Sequence, residues 1–225
     1  MADKVKHHDF VEVDYTGKLT DGTIFDTTIE DVARKNNFFS EKQKFGSIVI
    51  CVGEQQILPG LDAGLVGKEI GQEFTITLTP ENAFGKRDIK NLKIVPVSTF
   101  KQHKMDPYPG LQIDVDGQMG TVMRISGGRV TVNFNHPLAG KEIVYDVKVH
   151  RKLTDTKEKI VAFLNTSLKV PLNNINVELT EESANVSLPI NFPEQLNDVI
   201  GKKLAELTGL KEVKLRKAED KAKKS

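Results

Sequence analysis

The sequence predicts an α+β protein in three units. Three observations carry that prediction: period-two alternation in the first part of the chain, a change of character after Gly85, and helical spacing of apolar residues beyond Thr154. The expected units are a first domain of residues 1–85 plus 138–153, a small β-rich domain of residues 86–137 inserted into it, and a C-terminal α/β domain of residues 154–225.

Phe10–Leu19 alternates, with Val11, Val13 and Tyr15 on one side and Glu12, Asp14 and Thr16 on the other, as a half-buried strand does. Asp21-Gly22 supplies a turn, and Thr23–Thr27 returns as a second strand carrying Phe25 and Asp26. Ile29–Phe45 is mixed and polar, with one short helix and an apolar spot at Phe38-Phe39. Ile48–Val52 reads as a strand ended by Gly53. Pro59 and Gly60 punctuate Gly53–Leu65, and a short helix follows in which Leu61 and Leu65, four apart, share one face. Gly67 and Gly71 then turn the chain into a strand that opposes Phe74, Ile76 and Leu78 to Glu73, Thr75 and Thr77. Pro80–Gly85 closes the stretch as a loop.

Within 86–137 the clearest piece is a hairpin from Thr121 to Phe134, turned by Ser126-Gly127-Gly128. Three of the four methionines, Met105, Met119 and Met123, lie here beside Phe100, Tyr108 and Leu111. The strand Glu142–Arg151 follows, with Ile143, Tyr145, Val147 and Val149 on one face, and completes the first domain. Asp155 with Glu158 three residues later marks a helix start, and Ile160, Val161, Leu164 and Leu168 give its apolar spacing. Ile175–Leu179 and Ala184–Leu188 read as strands. A second helix opens at Pro193, is striped by Leu196, Val199, Ile200, Leu204 and Leu207, and stops at Gly209. Val213 and Leu215 mark a final edge strand.

Composition narrows the function. Hydrophobic residues make up 38% of the chain and charged ones 28%, as in ordinary globular proteins. Lys+Arg at 32 against Asp+Glu at 31 leaves no strong field to draw the chain to nucleic acid or membrane. The Lys-rich tail, Lys214, Arg216, Lys217, Lys221, Lys223 and Lys224, reads as a solvated, frayed terminus. A single cysteine, Cys51, fits a reducing compartment and sits mid-strand as buried filler. Met1–Phe10 is polar, without the apolar core of a signal peptide, and no apolar run approaches the ~20 residues that cross a bilayer. The expected location is cytoplasmic. Dinucleotide, phosphate-loop, metalloprotease and dithiol motifs are missing, and His7, His8, His103, His136 and His150 have no metal-ligand spacing. Neither a cofactor nor a metal is expected. Glu181-Glu182 and the Asp114/Asp116 pair read as solvated charges.

Five segments stand in a telling order: Val13-Asp14-Tyr15-Thr16-Gly17, Gly22-Thr23-Ile24-Phe25-Asp26-Thr27, Gly53-Glu54-Gln55-Gln56-Ile57-Leu58-Pro59-Gly60-Leu61, Pro80-Glu81-Asn82-Ala83-Phe84-Gly85 and Val144-Tyr145-Asp146-Val147. Together, over residues 5–85 and 138–152, they strongly resemble the FKBP family of peptidyl-prolyl cis-trans isomerases. The segment ending Asn133-Phe134-Asn135-His136-Pro137 resembles the insert-in-flap domain of SlyD-type members, and the C-terminal unit is similar to that of long archaeal-type members. The resemblance implies an antiparallel sheet wrapped on a short helix, with a substrate pocket between them.

It implies a rotamase without cofactor, acting on unfolded or proline-containing polypeptides through Tyr15, Phe25, Asp26, Ile48, Ile57, Leu58, Leu61, Phe84 and Tyr145. Ile57 and Leu58 match positions whose backbone contacts the ligand, and Leu61 matches the pocket floor. Asp26 orients the Tyr15 hydroxyl or faces the twisted carbonyl, or else satisfies backbone donors near its turn. Two departures stand out: the floor position is often Trp in the family, and the position of Phe84 is often a hydrogen-bonding Tyr. In the insert, Phe100, Met105, Tyr108, Leu111, Met119 and Met123 are candidates for capturing unfolded chain, and filling the insert's own core is their competing use. A catalytically weak or inactive holdase is the alternative function, and a ribosome or nucleic-acid adaptor using the tail is the next. A homodimer through the C-terminal domain is the expected assembly.

Overall fold

The computed structural model describes residues 3–218. Among them, one compact unit comprises the chain up to Thr77 and from Val144 onward, and the other is Leu78–Ile143. In chain order the elements are β1 (Phe10–Leu19), β2 (Ile24–Thr27), α1 (Glu30–Lys35), β3 (Ile48–Cys51), α2 (Pro59–Leu65), β4 (Glu73–Leu78), β5 (Leu92–Pro96), α3 (Val97–Gln102), β6 (Gln112–Val115), β7 (Gln118–Ser126) and β8 (Arg129–Asn133). There follow β9 (Ile143–Lys152), α4 (Thr156–Leu168), β10 (Asn176–Leu179), β11 (Ser183–Leu188), α5 (Glu194–Thr208) and β12 (Glu212–Lys217).

The first unit is built on a sheet of order β2-β1-β9-β4, with β3 also paired to β1. β1 meets β2 antiparallel at Thr16–Lys18 and β3 antiparallel at Phe10–Val13, so one strand carries two partners along one edge. Alternation decides what is buried: Val11 and Val13 of β1, and Ile143, Tyr145, Val147 and Val149 of β9, are all core residues. α2 buries Leu61 and Leu65. It approaches β4 closely because Gly64 has no Cβ; one there would meet Ile76 Cδ1 at 2.7 Å.

The C-terminal part of this unit follows its sequence signals. The Asp155 side chain accepts from the Glu158 backbone N–H at 2.7 Å and starts α4, and Gly209 at φ +75° ends α5. Both helices close over a sheet of order β10-β11-β12, in which β12 runs parallel to β11. Its core gathers Ile160, Leu164, Val186, Leu188 and Leu204. Lys214, Arg216 and Lys217 are not frayed tail but part of β12, because Val213 and Leu215 alternate inward and fix the strand. Arg216 then bonds Ser187 and Glu178 across the sheet. Lys221, Lys223 and Lys224 lie outside the described residues.

The second unit is a sheet of order β5-β8-β7-β6 around Phe100, Ile113, Val122, Val130 and Val132. The β7–β8 hairpin turns at Gly127 and Gly128, whose φ of +55° and +73° only glycine adopts freely. α3 was not anticipated. Val97-Ser98-Thr99 is rich in strand-favouring residues, but burying Phe100 against the sheet overrides that preference.

Candidate active site

Three strands bring the aromatic candidates together. β1 supplies Tyr15, β2 supplies Phe25 and Asp26, and β9 supplies Tyr145. The Tyr145 ring stands edge-on to both partners, its centroid 5.6 Å from Tyr15 and 5.9 Å from Phe25. Such T-shaped pairs are favourable by about 0.5–1.5 kcal/mol beyond the area they bury. Gly17 makes this possible: a Cβ there would meet Tyr145 Cε1 at 2.8 Å and Phe25 Cζ at 2.9 Å. The β1–β2 hairpin that presents these groups is tied by Thr16 and Thr27, whose hydroxyls lie 2.8 Å apart, and by Thr28 Oγ1, which accepts from the Tyr15 backbone N–H at 3.0 Å.

Asp26 accepts a hydrogen bond from the Tyr15 hydroxyl. Burial pushes its carboxyl above the ordinary aspartate value, against the lowering effect of that bond and of a backbone bond at Thr27. The Tyr15 and Tyr145 phenols are raised in turn, first by burial and then by the Asp26 charge. The site therefore couples an apolar aromatic wall to one poorly hydrated carboxylate and a neutral hydroxyl.

Ile48 opens β3 opposite Val13 and is half-buried. Ile57 and Leu58 are half-buried on the β3–α2 loop, and Leu61 is buried on α2. Asp62, which the sequence reading passed over, is only 2% exposed and grips that loop, accepting from Gly53 N and Gln55 N at 2.9 Å each. A carboxylate in the first turn of a helix behind a glycine loop is the one signal that pointed to it. Gly17 was visible in its motif but its contact with two rings was not.

Phe84 belongs to the second unit, where its ring stacks on His136 at 4.5 Å and 3°. In the same unit Met105, Tyr108, Met119 and Met123 are 39–59% exposed. Phe100 is 3% exposed and Leu111 packs on the core, so these two side chains serve the unit's interior. A groove of about 510 Å³ is lined by Val95, Phe100, Met105, Ile113, Val115 and Phe134. A larger groove of about 860 Å³ lies between α5 and β12, half of its lining residues charged, of both signs, and none of them a candidate site residue.

A family model described as FKBP-type peptidyl-prolyl cis-trans isomerase matches residues 2–101, and one described as FKBP26, IF domain, matches residues 93–138. The chain is 33% identical over 149 residues to a short-type peptidyl-prolyl cis-trans isomerase of Methanocaldococcus jannaschii, covering 66% of this chain and 94% of that protein. It is 38% identical over 103 residues to a probable FKBP-type 16 kDa peptidyl-prolyl cis-trans isomerase of Pseudomonas fluorescens, covering 44% and 67%. It is 27% identical over 165 residues to the FKBP-type isomerase SlyD of Treponema pallidum, covering 72% and 85%.

Proposed function

Because this chain belongs to the FKBP-type peptidyl-prolyl cis-trans isomerases, we infer that it accelerates rotation about X–Pro bonds in unfolded polypeptides at the aromatic cluster of its first unit. The observation that carries this reading is the convergence of Tyr15, Phe25 and Tyr145 around Asp26, all at positions of the family motifs.

Amide resonance sets a barrier of about 18–20 kcal/mol, and an unaided X–Pro bond takes tens to hundreds of seconds to turn. Resonance also separates charge between oxygen and nitrogen. Twisting removes much of that separation, so the transition state is less polar than either planar form. A dry wall of Phe25, Ile48, Ile57, Leu58, Leu61 and Tyr145 disfavours the planar forms more than the twisted one. Asp26 fixes the Tyr15 hydroxyl and faces the polarised amide. No nucleophile enters this scheme.

The second unit completes the proposal as a chaperone surface. The exposed thioethers of Met105, Met119 and Met123, with the ring of Tyr108, adapt to varied apolar segments. Weak capture there raises the local concentration of chain at the catalytic unit. Lone, buried Cys51 suits a reducing compartment such as the cytoplasm. Self-association through the C-terminal segment belongs to the same reading, and a monomeric mass by light scattering removes it.

The test is refolding of a protein whose slow phase is limited by X–Pro isomerisation. Catalytic amounts of this chain are expected to shorten that phase without changing its amplitude. An unchanged slow phase with suppressed aggregation would replace the isomerase by a holdase.

A further inference from the structure

The loop between β3 and α2 carries Ile57 and Leu58, and its backbone is not relaxed on its own terms. Gly53 sits at φ +93° and Gln55, a residue with a Cβ, at φ +51°. A left-handed non-glycine residue persists when its surroundings hold it there. Asp62 holds the loop from α2, as described above. The remaining side-chain ties run to β3, to His8 and to a C-terminal segment that contributes nothing to the pocket. Gln56 Oε1 accepts from Cys51 N at 2.7 Å, and Gln56 Nε2 donates to Ser167 Oγ on α4 at 2.6 Å. The Glu54 carboxylate lies 2.8 Å from Lys203 Nζ on α5 and 3.4 Å from His8 Nε2. Thr166 Oγ1, next to Ser167, donates to the Val49 carbonyl of β3 at 2.7 Å.

These polar ties stand on a rigid base. Ala162 of α4 and Leu207 of α5 share a buried cluster with Phe10 of β1 and Cys51 of β3. The helices cannot drift from the strand that launches the loop without opening that cluster. Two of the loop's side chains, Glu54 and Gln56, thus flank the left-handed Gln55 and are each held by a different C-terminal helix.

We propose that α4 and α5 act as positioning elements for the isomerase pocket, with Ser167 and Lys203 holding the β3–α2 loop in the geometry that presents Ile57 and Leu58 to substrate. Neither side chain touches substrate; both work through Gln56 and Glu54. This rests on the pocket being the X–Pro site, and it assigns the C-terminal segment a part in binding proline peptides as small as a tetrapeptide. Loosening the loop backbone costs contacts with the chain on either side of the rotating bond, which the planar and twisted forms share, so it weakens binding more than it slows the chemical step.

The experiment uses the full-length chain with Ser167→Ala, Lys203→Met and the double variant, each beside Ser167→Thr and Lys203→Arg. A proline tetrapeptide is the probe: kcat and KM come from NMR exchange, and amide hydrogen exchange reads the loop. Each single loss of a bond worth about 1 kcal/mol is expected to raise KM about twofold to fivefold, and the double variant about tenfold, with kcat held within about a factor of two. Exchange at Gln55, Gln56 and Ile57 rises in parallel, and the threonine and arginine variants restore wild-type behaviour. Ser167→Ala adds little once Gln56 is alanine, since Gln56→Ala already removes the Ser167 bond together with the one from Cys51 N. Unchanged KM and loop exchange in the double variant would overturn the proposal, as would a loss of activity that only follows the folded fraction. If the wild type turns over no tetrapeptide, the isomerase reading falls. The amide exchange then still decides whether the helices hold the loop.

Discussion

Replacing Gly17 by alanine inserts one methyl group where two aromatic rings already stand. Its Cβ would lie 2.8 Å from Tyr145 Cε1 and 2.9 and 3.0 Å from two atoms of the Phe25 ring. Carbon atoms rest about 3.5–4.0 Å apart, so both rings must retreat by roughly 0.6–1 Å. Overpacking of this kind costs about 1–3 kcal/mol. Relief of glycine's strand penalty returns about 0.5–1 kcal/mol, which leaves a net loss of at most about 2.5 kcal/mol. The rate is the sharper readout, because the displaced rings are the proposed pocket wall. A misplacement near 1 Å can lower a rate by up to about a hundredfold, so kcat/KM for a proline tetrapeptide is expected to fall by about ten- to a hundredfold. Gly120→Ala is the control. Its Cβ would meet Phe134 Cε1 at 2.6 Å and Val132 Cγ1 at 2.7 Å in the second unit, outside the aromatic cluster. It should destabilise at least as much in urea while the folded fraction keeps wild-type kcat/KM. Full activity in Gly17→Ala would refute the assignment of these rings to the pocket.

Other perturbations have equally definite outcomes. The half-buried Asp26 carboxyl titrates above its unfolded value, so its charge destabilises the fold at neutral pH and that penalty is relieved as pH falls through the folded value. Asp26→Asn should therefore unfold at higher urea than wild type at neutral pH, with the difference closing in acid, while Asp26→Ala slows isomerisation; an unchanged rate would leave Asp26 a purely structural group. Asp14 has the opposite sign: burial raises its carboxyl, but bonds from Thr28, His150 and Ser47 outweigh that and hold it low. Its contribution is present above the unfolded value and is lost as pH falls through the folded one, so Asp14→Asn should destabilise at neutral pH and match wild type in acid. Met119→Ser/Met123→Ser, at exposed positions, should leave tetrapeptide turnover and stability intact but slow turnover of an unfolded protein about threefold or more; equal turnover of both substrates would remove the capture role.

The sequence made some of this legible because the deciding interactions are local. Alternation marked β1, β4 and β9, the glycine pair turned β7 into β8, and Asp155 capped α4 where the spacing of Glu158 said it would. α3 escaped because Val97, Ser98 and Thr99 favour a strand locally, and only the burial of Phe100 against β-strands distant in sequence makes a helix the better answer. The methionines of the insert could be read either as core or as surface, since three-dimensional packing alone sorts them; they face solvent, and Phe100 and Leu111 fill the interior. For β12, Val213 and Leu215 marked the edge strand, and only the reach of the frayed tail over Lys214, Arg216 and Lys217 was misplaced.

In the candidate site, Tyr15, Phe25, Asp26 and Tyr145 were named through a family pattern, because nothing in composition tells a pocket aromatic from a core one. What supports them was invisible for a physical reason. Gly17 matters through rings from two other strands, and Gln56 meets Ser167 across 111 positions of chain. Such long-range contacts leave no periodic trace in a single sequence.

The central claim is catalysis of X–Pro rotation at this aromatic cluster. NMR exchange on a proline tetrapeptide tests it directly, with wild type beside Phe25→Ala, a change at a half-buried position that the fold can absorb. Acceleration by wild type that collapses in the folded variant is the predicted result. Equal exchange rates for wild type, variant and free peptide would contradict it.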